Sequence, residues 1–219
     1  MYSIVIKRLL DIILSFISLI VLSPVFLFAA IGVWISDPGP VLYHSERVGS
    51  DYKPFHFYKF RSMKQTKHDK GLYIADPERV FPFGKLIRRL KIDELPQLIN
   101  IIKGDMSIVG PRPLPLETAK KHYCGKYAPI IKMRPGLTSA ASLYDYMIGD
   151  TYNDDEAYQR EVLPVKLEME LYYIKHESFM YDFNLIIRTA KTILKVASGD
   201  EKFNTMPEYM KIKNKIRKH

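Results

Sequence analysis

The sequence predicts a mainly helical α+β protein, with a broken membrane-inserted helix at its N-terminus and a small β-hairpin in the domain that follows. Three observations indicate this class: a long uncharged apolar run near the N-terminus, two short aromatic-rich segments, and several amphipathic helical patterns downstream. After the apolar run roughly 185 residues remain, enough for one domain with its own core. We therefore divide the chain into a membrane segment at 1–36, a cytoplasmic domain at 37–200 and a basic tail at 201–219.

The stretch from Ile12 to Trp34 has no charged residue and is rich in leucine, isoleucine, valine and phenylalanine. As one straight helix it would measure about 35 Å, which is long enough to cross a bilayer. Ser23 and Pro24 interrupt it near the middle, and a proline there removes a backbone hydrogen bond and clashes with the preceding turn. The segment can therefore either span the bilayer with a kink or re-enter one leaflet as two short arms.

Basic residues flank this stretch equally on its two sides. Lys7 and Arg8 precede it, and Arg47 and Lys53 are the only lysine or arginine in the twenty residues after it. The positive-inside rule therefore does not orient a crossing, and the balance fits an arrangement with both ends in the cytoplasm.

Two β-rich segments follow, at residues 40–44 and 54–60, and the turn residues Gly49, Ser50 and Asp51 lie between them. This pattern predicts a β-hairpin. A polar, charged loop is expected next, from Met63 to Arg79.

Two adjacent carboxylates, Asp93 and Glu94, precede Pro96 and an amphipathic helical pattern that ends at Gly104. The apolar residues expected on one face of this helix are Leu95, Leu98, Ile99 and Ile102. Because proline fits the first helical turn, Asp93 and Glu94 should lie at or just before the helix N-terminus, where the helix dipole stabilises negative charge. A carboxylate kept ionised there can attack phosphorus or hold a divalent cation. The simpler alternative is that Asp93 is only an N-cap.

Basic residues surround these carboxylates in the sequence. Arg88, Arg89 and Lys91 precede them, and Arg112 follows, enclosed by Pro111 and Pro113. Two prolines with fixed φ make the segment of Arg112 stiff, which favours bidentate recognition of a phosphate. Together these residues suggest phosphoryl chemistry with a metal ion, and the alternative for Arg112 is a structural ion pair.

The remaining chain is predicted to be mostly helical. Residues 86–102 and 114–127 have helical patterns, residues 134–136 form a turn signal, and residues 145–156 an acidic loop. Two longer helices follow, the first opened by Pro164 and the second capped by Ser178. The second helix carries the apolar residues Phe183, Ile186, Ile187, Ile193 and Leu194. The tail from Pro207 to His219 fits either a basic amphipathic helix on a membrane or a frayed end.

Composition narrows the possible partners. A net charge of +9 and a pI of about 9.4 suit an anionic partner, and beside a membrane segment acidic phospholipids and a phosphorylated lipid are more economical than nucleic acid. The sequence contains no recognisable nucleic-acid-binding motif, no paired zinc-ligand spacing and no glycine-rich phosphate loop. Its single cysteine, Cys124, excludes an intrachain disulfide and fits a reducing compartment.

Several ordered blocks, spread over about residues 3–198, together support a family resemblance. They are Lys7-Arg8 with Asp11, Ser23-Pro24, and residues 37–41, 46–49, 59–63, 84–89, 93–98, 104–113 and 134–138. On these blocks the chain resembles the bacterial sugar transferases, small monotopic phosphoglycosyl transferases that start glycan assembly on a polyprenol carrier. It departs from the pattern at Ser45, where the family usually has glutamine, and at residues 139–144, which leaves the identity of the sugar donor open.

The resemblance implies a two-step reaction. Asp93 would attack the β-phosphate of a nucleotide-diphosphate sugar, with UDP the expected nucleotide, and the phosphate of the polyprenol (undecaprenyl) carrier would then take the phosphosugar. Glu94 would hold Mg²⁺, and Arg88, Arg112 and Lys59 would contact phosphate, with Pro111 and Pro113 framing the site. The resemblance also favours the re-entrant hairpin, broken at Ser23 and Pro24, and the cytoplasmic face of the bacterial inner membrane.

Two functions of other classes were weighed against this one. An inactive membrane-anchored scaffold conflicts with the intact Asp93, Glu94 and Arg112, and a basic nucleic-acid-binding module conflicts with the missing motif. The sequence specifies neither the oligomeric state nor the glycan pathway.

Overall fold

The computed structural model describes residues 4–64, 77–148, 152, 154–200 and 205–216. The α-helices of this part are α1 Ile4–Val21, α2 Ser23–Ser36, α3 Pro82–Arg89, α4 Gln97–Lys103, α5 Leu116–His122, α6 Ala140–Ile148, α7 Asp155–Glu161, α8 Leu163–His176, α9 Phe179–Ala197 and α10 Pro207–Ile216. The strands are β1 Leu42–Val48, β2 Pro54–Phe60, β3 Ser107–Val109 and β4 Gly136–Thr138. The mainly helical class with a small hairpin is therefore confirmed.

The break predicted at Ser23 and Pro24 is present. Helices α1 and α2 are bent by 63° where they meet, Pro24 lies in the first turn of α2, and the Ser23 hydroxyl donates to the carbonyl of Ile20 at 2.8 Å. None of the described helices is by itself long and apolar enough to cross a membrane, whereas the bent pair meets that criterion jointly. Helix α1 begins earlier than the uncharged run, so it includes Lys7, Arg8 and Asp11.

These three charged residues attach α1 to the rest of the protein. Lys7 Nζ lies 2.5 Å from a carboxylate oxygen of Asp182 in α9. The Arg8 guanidinium donates to two carbonyls at the end of α4, those of Ile101 and Ile102. Asp11 accepts hydrogen bonds from residues 107 and 108, where β3 begins. The start of α1 is therefore held against the domain.

Helix α2 is attached to the same domain. Ala29 and Val33 are fully buried in an apolar cluster that includes Phe60 and Ile87. Beyond its end, Asp37 pairs with Arg61 at 2.9 Å. The outer ends of both arms thus pack on one domain, and a pair bent in this way fits either a re-entrant element or a broken span.

The predicted hairpin is confirmed. Strands β1 and β2 pair antiparallel, with Leu42 opposite Phe60 and Val48 opposite Pro54. The three phenylalanines of β2 are buried, and Phe57 packs against α4 at Leu98. Of the loop expected at 63–79, residues 65–76 lie outside the described part of the chain.

A parallel strand pair was not predicted. Strand β3 pairs with β4, and Gly136 is the first residue of β4 rather than part of the turn expected at 134–136. A Cβ atom at Gly136 would lie only 2.1 Å from the backbone nitrogen of Gly110, so the two segments approach more closely than any side chain permits. Three-residue strands give no usable alternation pattern in a sequence, which is why the pairing escaped prediction.

The helix predicted across residues 86–102 is interrupted. Helix α3 ends before Lys91, which has a left-handed backbone at φ 56°, and residues Ile92–Glu94 form a 3-10 turn before α4 begins. The expected apolar face of α4 is also wrong, since Ile99 is exposed and Asn100 is fully buried. Asn100 is buried because its amide bonds the backbone of β2, with Nδ2 2.7 Å from the His56 carbonyl.

Two further predictions need correction. The helix expected at 114–127 is limited to α5, and residues Gly125–Lys132 form a 3-10 helix. The start of the acidic loop expected at 145–156 belongs to α6, which continues to Ile148, and Asp154 caps α7. Residues 149–151 and 153 lie outside the described part.

The two long helices begin where the sequence predicts. Pro164 lies in the first turn of α8, and the Ser178 hydroxyl accepts a hydrogen bond from the backbone of Tyr181. In α9, Leu185 is fully buried, whereas Phe183 and Leu194 are exposed. Helix α9 is apolar on more than one side, so periodicity alone could not show which side packs.

The tail forms a packed helix instead of a frayed end. In α10, Ile212 and Glu208 are buried, and Glu208 accepts both guanidinium nitrogens of Arg188 at about 3 Å. Tyr209 stacks on Tyr144 of α6 with ring centroids 5.7 Å apart. Ile212 of this helix is therefore covered by the protein, whereas Met210 is exposed.

Candidate active site

The carboxylates of Asp93 and Glu94 are buried in the 3-10 turn between α3 and α4. The left-handed backbone of Lys91 turns the chain sharply into this position. Both side chains thereby face the hairpin and the segment of Arg112 instead of continuing the surface of α3.

Glu94 is surrounded by positive charge. Its Oε1 lies 3.0 Å from Arg112 Nη2, 3.1 Å from Lys59 Nζ and 3.7 Å from Lys91 Nζ. Burial by itself would raise the pKa of Glu94, but Arg112, Lys59 and Lys91 outweigh it and hold that pKa well below its ordinary value. Glu94 is therefore a fixed negative charge.

Asp93 has a different environment, although it is the adjacent residue. Its nearest cation is Lys59, with Nζ 3.9 Å from Oδ2, and Oδ1 is buried with no hydrogen-bond partner among the described residues. Burial raises the pKa of Asp93, Lys59 opposes this, and the negative charge of Glu94 raises it further. Asp93 is thus a poorly compensated carboxylate with a free oxygen.

The N-cap alternative for Asp93 is wrong. Helix α4 is preceded by Pro96, and the turn holding Asp93 has Lys91 at its N-cap position; neither end receives a side-chain cap. An N-cap carboxylate accepts a backbone N–H, whereas Asp93 Oδ1 accepts none in the part of the chain that is described.

The segment of Arg112 is fixed at several points. The Arg112 N–H faces Glu170 Oε1 at 3.4 Å, and its carbonyl accepts from the Tyr123 hydroxyl at 3.2 Å. The carbonyl of Pro111 accepts from Gly136 N at 2.8 Å, and Pro113 is buried. Arg112 does form the ion pair considered as an alternative, but its partner is the candidate metal ligand Glu94, which also raises the pKa of Arg112. The ion pair of Arg112 is therefore part of the candidate site and is not an alternative to it.

The other predicted phosphate contacts differ in their position. Lys59 lies in β2 and touches Glu94, so the structure places it in the site. Arg88 is close enough to lower the pKa of Asp93 slightly, but its Nη1 contacts the sulfur of Met63 at 3.9 Å and no ion pair to Asp93 forms.

Sequence reasoning missed part of the wall opposite these carboxylates. Tyr146 of α6 stacks under Lys91, with Nζ 4.6 Å from the ring centroid, and its hydroxyl donates to the carbonyl of Arg89. Asp145, the preceding residue, pairs with Lys166 of α8 at 2.9 Å. No specific signal in the sequence indicated this wall, because Lys166 and Glu170 lie in a helical pattern that also contains Glu168 and Lys175.

We tested whether these residues fit a magnesium ion. The described residues contain no group of three or more histidine, cysteine, aspartate or glutamate side chains suited to a metal. Mg²⁺ in phosphoryl chemistry usually needs only one or two carboxylates, with substrate phosphates and water completing its shell. Glu94, which is buried and kept ionised, is one such carboxylate, so the site fits a cation shared with a phosphorylated substrate.

Comparison with known proteins gives consistent matches. The family model described as bacterial sugar transferase matches residues 2–196. A UDP-N-acetylgalactosamine-undecaprenyl-phosphate N-acetylgalactosaminephosphotransferase of Aeromonas hydrophila is 35% identical over 198 residues, covering 86% of this chain and 44% of the relative. A UDP-glucose:undecaprenyl-phosphate glucose-1-phosphate transferase of Escherichia coli is 37% identical, covering 84% of this chain and 39% of the relative.

A shorter relative is matched over nearly its whole length. The uncharacterized sugar transferase EpsL of Bacillus subtilis is 34% identical over 200 residues, with 91% of this chain and 92% of that protein covered. The chain thus spans less than half the length of the Aeromonas and Escherichia relatives but almost all of the Bacillus one.

Proposed function

The chain belongs to the bacterial sugar transferase family, and on this premise we propose that it transfers a sugar phosphate from a nucleotide-diphosphate sugar to polyprenol phosphate. The observation that supports this most directly is the free Oδ1 of Asp93, set beside a Glu94 charge that Arg112 and Lys59 hold in place. The names of the Aeromonas and Escherichia relatives specify undecaprenyl phosphate as acceptor and UDP-sugars as donors, and they differ in the sugar.

In the first step, a lone pair of Asp93 Oδ1 attacks the phosphorus that bears the sugar. The bond from that phosphorus to the bridging oxygen breaks, and the nucleoside monophosphate, UMP for a UDP-sugar, leaves with the electron pair. The raised pKa of Asp93 makes its oxygen a better electron-pair donor than a fully compensated carboxylate. The product is a phosphosugar bound covalently to Asp93.

In the second step, a phosphate oxygen of the carrier attacks the same phosphorus. The Asp93 carboxylate leaves with its electron pair, and a polyprenyl-diphosphate sugar is formed. Asp93 is the nucleophile of the first step and the leaving group of the second. The direct displacement between two anionic substrates is thereby replaced by two displacements at one site.

The cations of the site have a definite part in both steps. Lys59, Lys91 and Arg112 face the two carboxylates Asp93 and Glu94, so the cluster has one more positive than negative charge when both are ionised. That surplus attracts the substrate diphosphate and stabilises the charge that develops on the leaving oxygens. Glu94 would hold Mg²⁺, which when bound offsets the phosphate charge that repels a carboxylate nucleophile.

The exposed apolar surface supports a membrane location. Its members on the bent pair include Leu9, Ile13, Phe16, Ile17, Ile20, Leu27, Phe28, Ile31 and Trp34, and a second stripe on α9 contains Met180, Phe183, Ile187 and Leu194. An exposed apolar surface of this extent is unfavourable in water and marks contact with a membrane or partner. Seated among phospholipids of the cytoplasmic face of the inner membrane, the site would meet the carrier phosphate at the bilayer surface.

The mechanism is tested by the donor half-reaction. Protein incubated with a donor panel and Mg²⁺, without carrier, should release nucleoside monophosphate once and gain the mass of one phosphosugar. The added mass should lie on a peptide containing Asp93 and disappear when polyprenol phosphate is added. A sequential mechanism without adduct under rapid quench would contradict the covalent step and leave direct displacement by the carrier phosphate.

The topology is tested by labelling. With Cys124, which is exposed, replaced by alanine, single cysteines at positions 3 and 50 should both react from the cytoplasmic side. Pro24→Leu should favour a continuous helix. Labelling of position 3 from outside only, in the protein that keeps Pro24, would show a span.

A further inference from the structure

Arg47, near the end of β1, lies on the face of the hairpin that covers the active site. It is paired with Phe55, Ser45 with Phe57, and Tyr43 with Lys59 across the two strands, so these six side chains share one face. Two cations lie near the ring of Phe57: Arg47 Cζ is 5.9 Å and Lys59 Nζ is 5.5 Å from the ring centroid. Arg47 thus extends the row of positive charge that begins at Lys59.

The two cations differ in what compensates them. Lys59 pairs with Glu94 at 3.1 Å, whereas Arg47 has no ion pair or hydrogen bond within the described ranges. Three other arginines of the described part pair with a carboxylate: Arg61 with Asp37, Arg112 with Glu94 and Arg188 with Glu208. Burial and the positive charge of Arg112 both lower the pKa of Arg47. An uncompensated guanidinium in this setting is unfavourable unless an anion joins it.

A backbone contact brings Arg47 to the segment of Arg112. The N–H of Val48, the next residue, donates to the carbonyl of Leu114 at 3.0 Å, two residues beyond Arg112. On the same face as Arg47, the hydroxyl of Ser45 is buried without a hydrogen-bond partner in the described structure. The hairpin therefore presents two unsatisfied polar groups beside the site.

We propose that Arg47 is a substrate-binding residue that acts with Arg112 on one phosphate group of the substrate. A guanidinium on an aromatic ring is held flat and directed, which suits recognition of a phosphate with two parallel hydrogen bonds. The identity of this phosphate rests on the proposed function. Two substrates of that reaction carry a phosphate that Arg47 could bind, the donor diphosphate and the carrier phosphate. The competing role is purely structural packing on Phe57.

The first experiment separates ligand binding from packing. Arg47→Met keeps an unbranched apolar chain on Phe57 but removes the charge, and Arg160→Met, at an exposed arginine paired with Glu161, is the matched control. Thermal unfolding of the full-length purified protein is followed with and without inorganic pyrophosphate. We expect Arg47→Met to be at least as stable as the wild type without the anion and to lose more than half of the pyrophosphate-induced rise in Tm.

The control should keep the full pyrophosphate effect. A loss of stability in Arg47→Met together with an unchanged pyrophosphate effect would assign Arg47 to packing and overturn the proposal. Arg47→Lys should recover part of the effect, because lysine keeps the charge but not the planar pair of donors.

The second experiment identifies which phosphate is bound. Formation of the adduct with donor alone, and its discharge by polyprenol phosphate, are timed separately by rapid quench. If Arg47 binds the donor, Arg47→Met slows adduct formation at least about 10-fold; if it binds the carrier, only discharge slows. Wild-type rates in both half-reactions would overturn the proposal.

Failure of the proposed function has a different signature. In that case, wild-type protein forms no adduct and releases no nucleoside monophosphate with any donor, yet still shows pyrophosphate stabilisation that depends on Arg47. That result would support the phosphate site at Arg47 and contradict the proposed reaction.

Discussion

Two clusters of buried charge, one around Lys7 and one around Asp93, differ in how completely their members are compensated. Lys7 Nζ contacts carboxylate oxygens of Asp182 at 2.5 Å and Glu177 at 3.2 Å, and it donates to the Tyr173 hydroxyl at 2.7 Å. That hydroxyl in turn donates to the second oxygen of Asp182 at 2.8 Å. Every charge of the Lys7 cluster has a partner within the cluster.

The Asp93 cluster is left incomplete. Glu94 has three cations within 4 Å, while Asp93 Oδ1 has no partner and Arg47 has no counter-ion among described residues. Unsatisfied buried groups are unfavourable, so they persist where a ligand completes them. We infer from this difference that the Lys7 cluster joins α1 to the domain, whereas the Asp93 cluster is the proposed substrate site.

The largest expected effect follows from removing the free carboxylate. Asp93→Asn should lower turnover at least about 1,000-fold and abolish the phosphosugar adduct, because an amide oxygen is a far poorer nucleophile. Its unfolding curve should stay close to that of the wild type, since Asp93 has few partners to lose. Release of nucleoside monophosphate is the measurement, and turnover within 10-fold of wild type would show that Asp93 is not the nucleophile.

Glu94→Gln should reduce turnover by about 100-fold or more, because the variant keeps the shape but loses the charge that orients Arg112 and that we propose holds Mg²⁺. Activity is measured over a Mg²⁺ titration after treatment with EDTA. EDTA should abolish wild-type activity, and the variant should need more Mg²⁺ than the wild type for its remaining rate. Full wild-type activity in EDTA would rule out the metal role.

Disrupting the Lys7 cluster should lower the stability of the protein and leave the reaction unchanged. Asp182→Asn removes the closest charge to Lys7 and should lower the free energy of unfolding by about 3 kcal/mol, as expected when one partner of a buried ion pair is lost. Denaturant unfolding gives the change, and the adduct yield per folded molecule should remain that of the wild type. A variant of unchanged stability and reduced adduct yield would reverse the roles assigned to the two clusters.

A smaller, pH-dependent effect is expected at Glu170, behind Arg112. Burial raises the pKa of the Glu170 carboxyl to about 7, against the opposing effects of Ser139, Arg112 and Lys166. The folded protein therefore keeps a proton that the unfolded chain releases near pH 4.5, so the stability present below that pH is lost as the pH rises toward about 7.

Glutamine does not ionise, so Glu170→Gln should gain stability relative to the wild type across this window, by on the order of 2 kcal/mol between pH 4.5 and pH 8. Unfolding free energies of both proteins across the pH range give the difference, in which other titrating groups cancel. Glu117→Gln, at an exposed glutamate, is the control. Parallel profiles for Glu170→Gln and the wild type would show that the carboxyl is ionised in the folded protein throughout.

Local sequence signals predicted the elements that depend on neighbouring residues. The break at Ser23 and Pro24, the hairpin, and the helix starts at Pro164 and Ser178 follow from proline geometry, turn residues and capping. The order of the motifs also indicated the family, which the match over residues 2–196 confirms.

The sequence by itself thus determined the helix break at Ser23 and Pro24, the hairpin and the presence of two adjacent carboxylates among basic residues. Only the tertiary structure decided the parallel pairing of β3 with β4, the burial of Asn100, and the opposite environments of Asp93 and Glu94. The physical reason is the separation in sequence of the interacting residues. Turns and caps depend on atoms within about four residues of each other, whereas the charge environment of Glu94 comes from side chains up to 35 residues away. Neighbouring residues of the same charge can therefore acquire different chemistry only when the chain has folded.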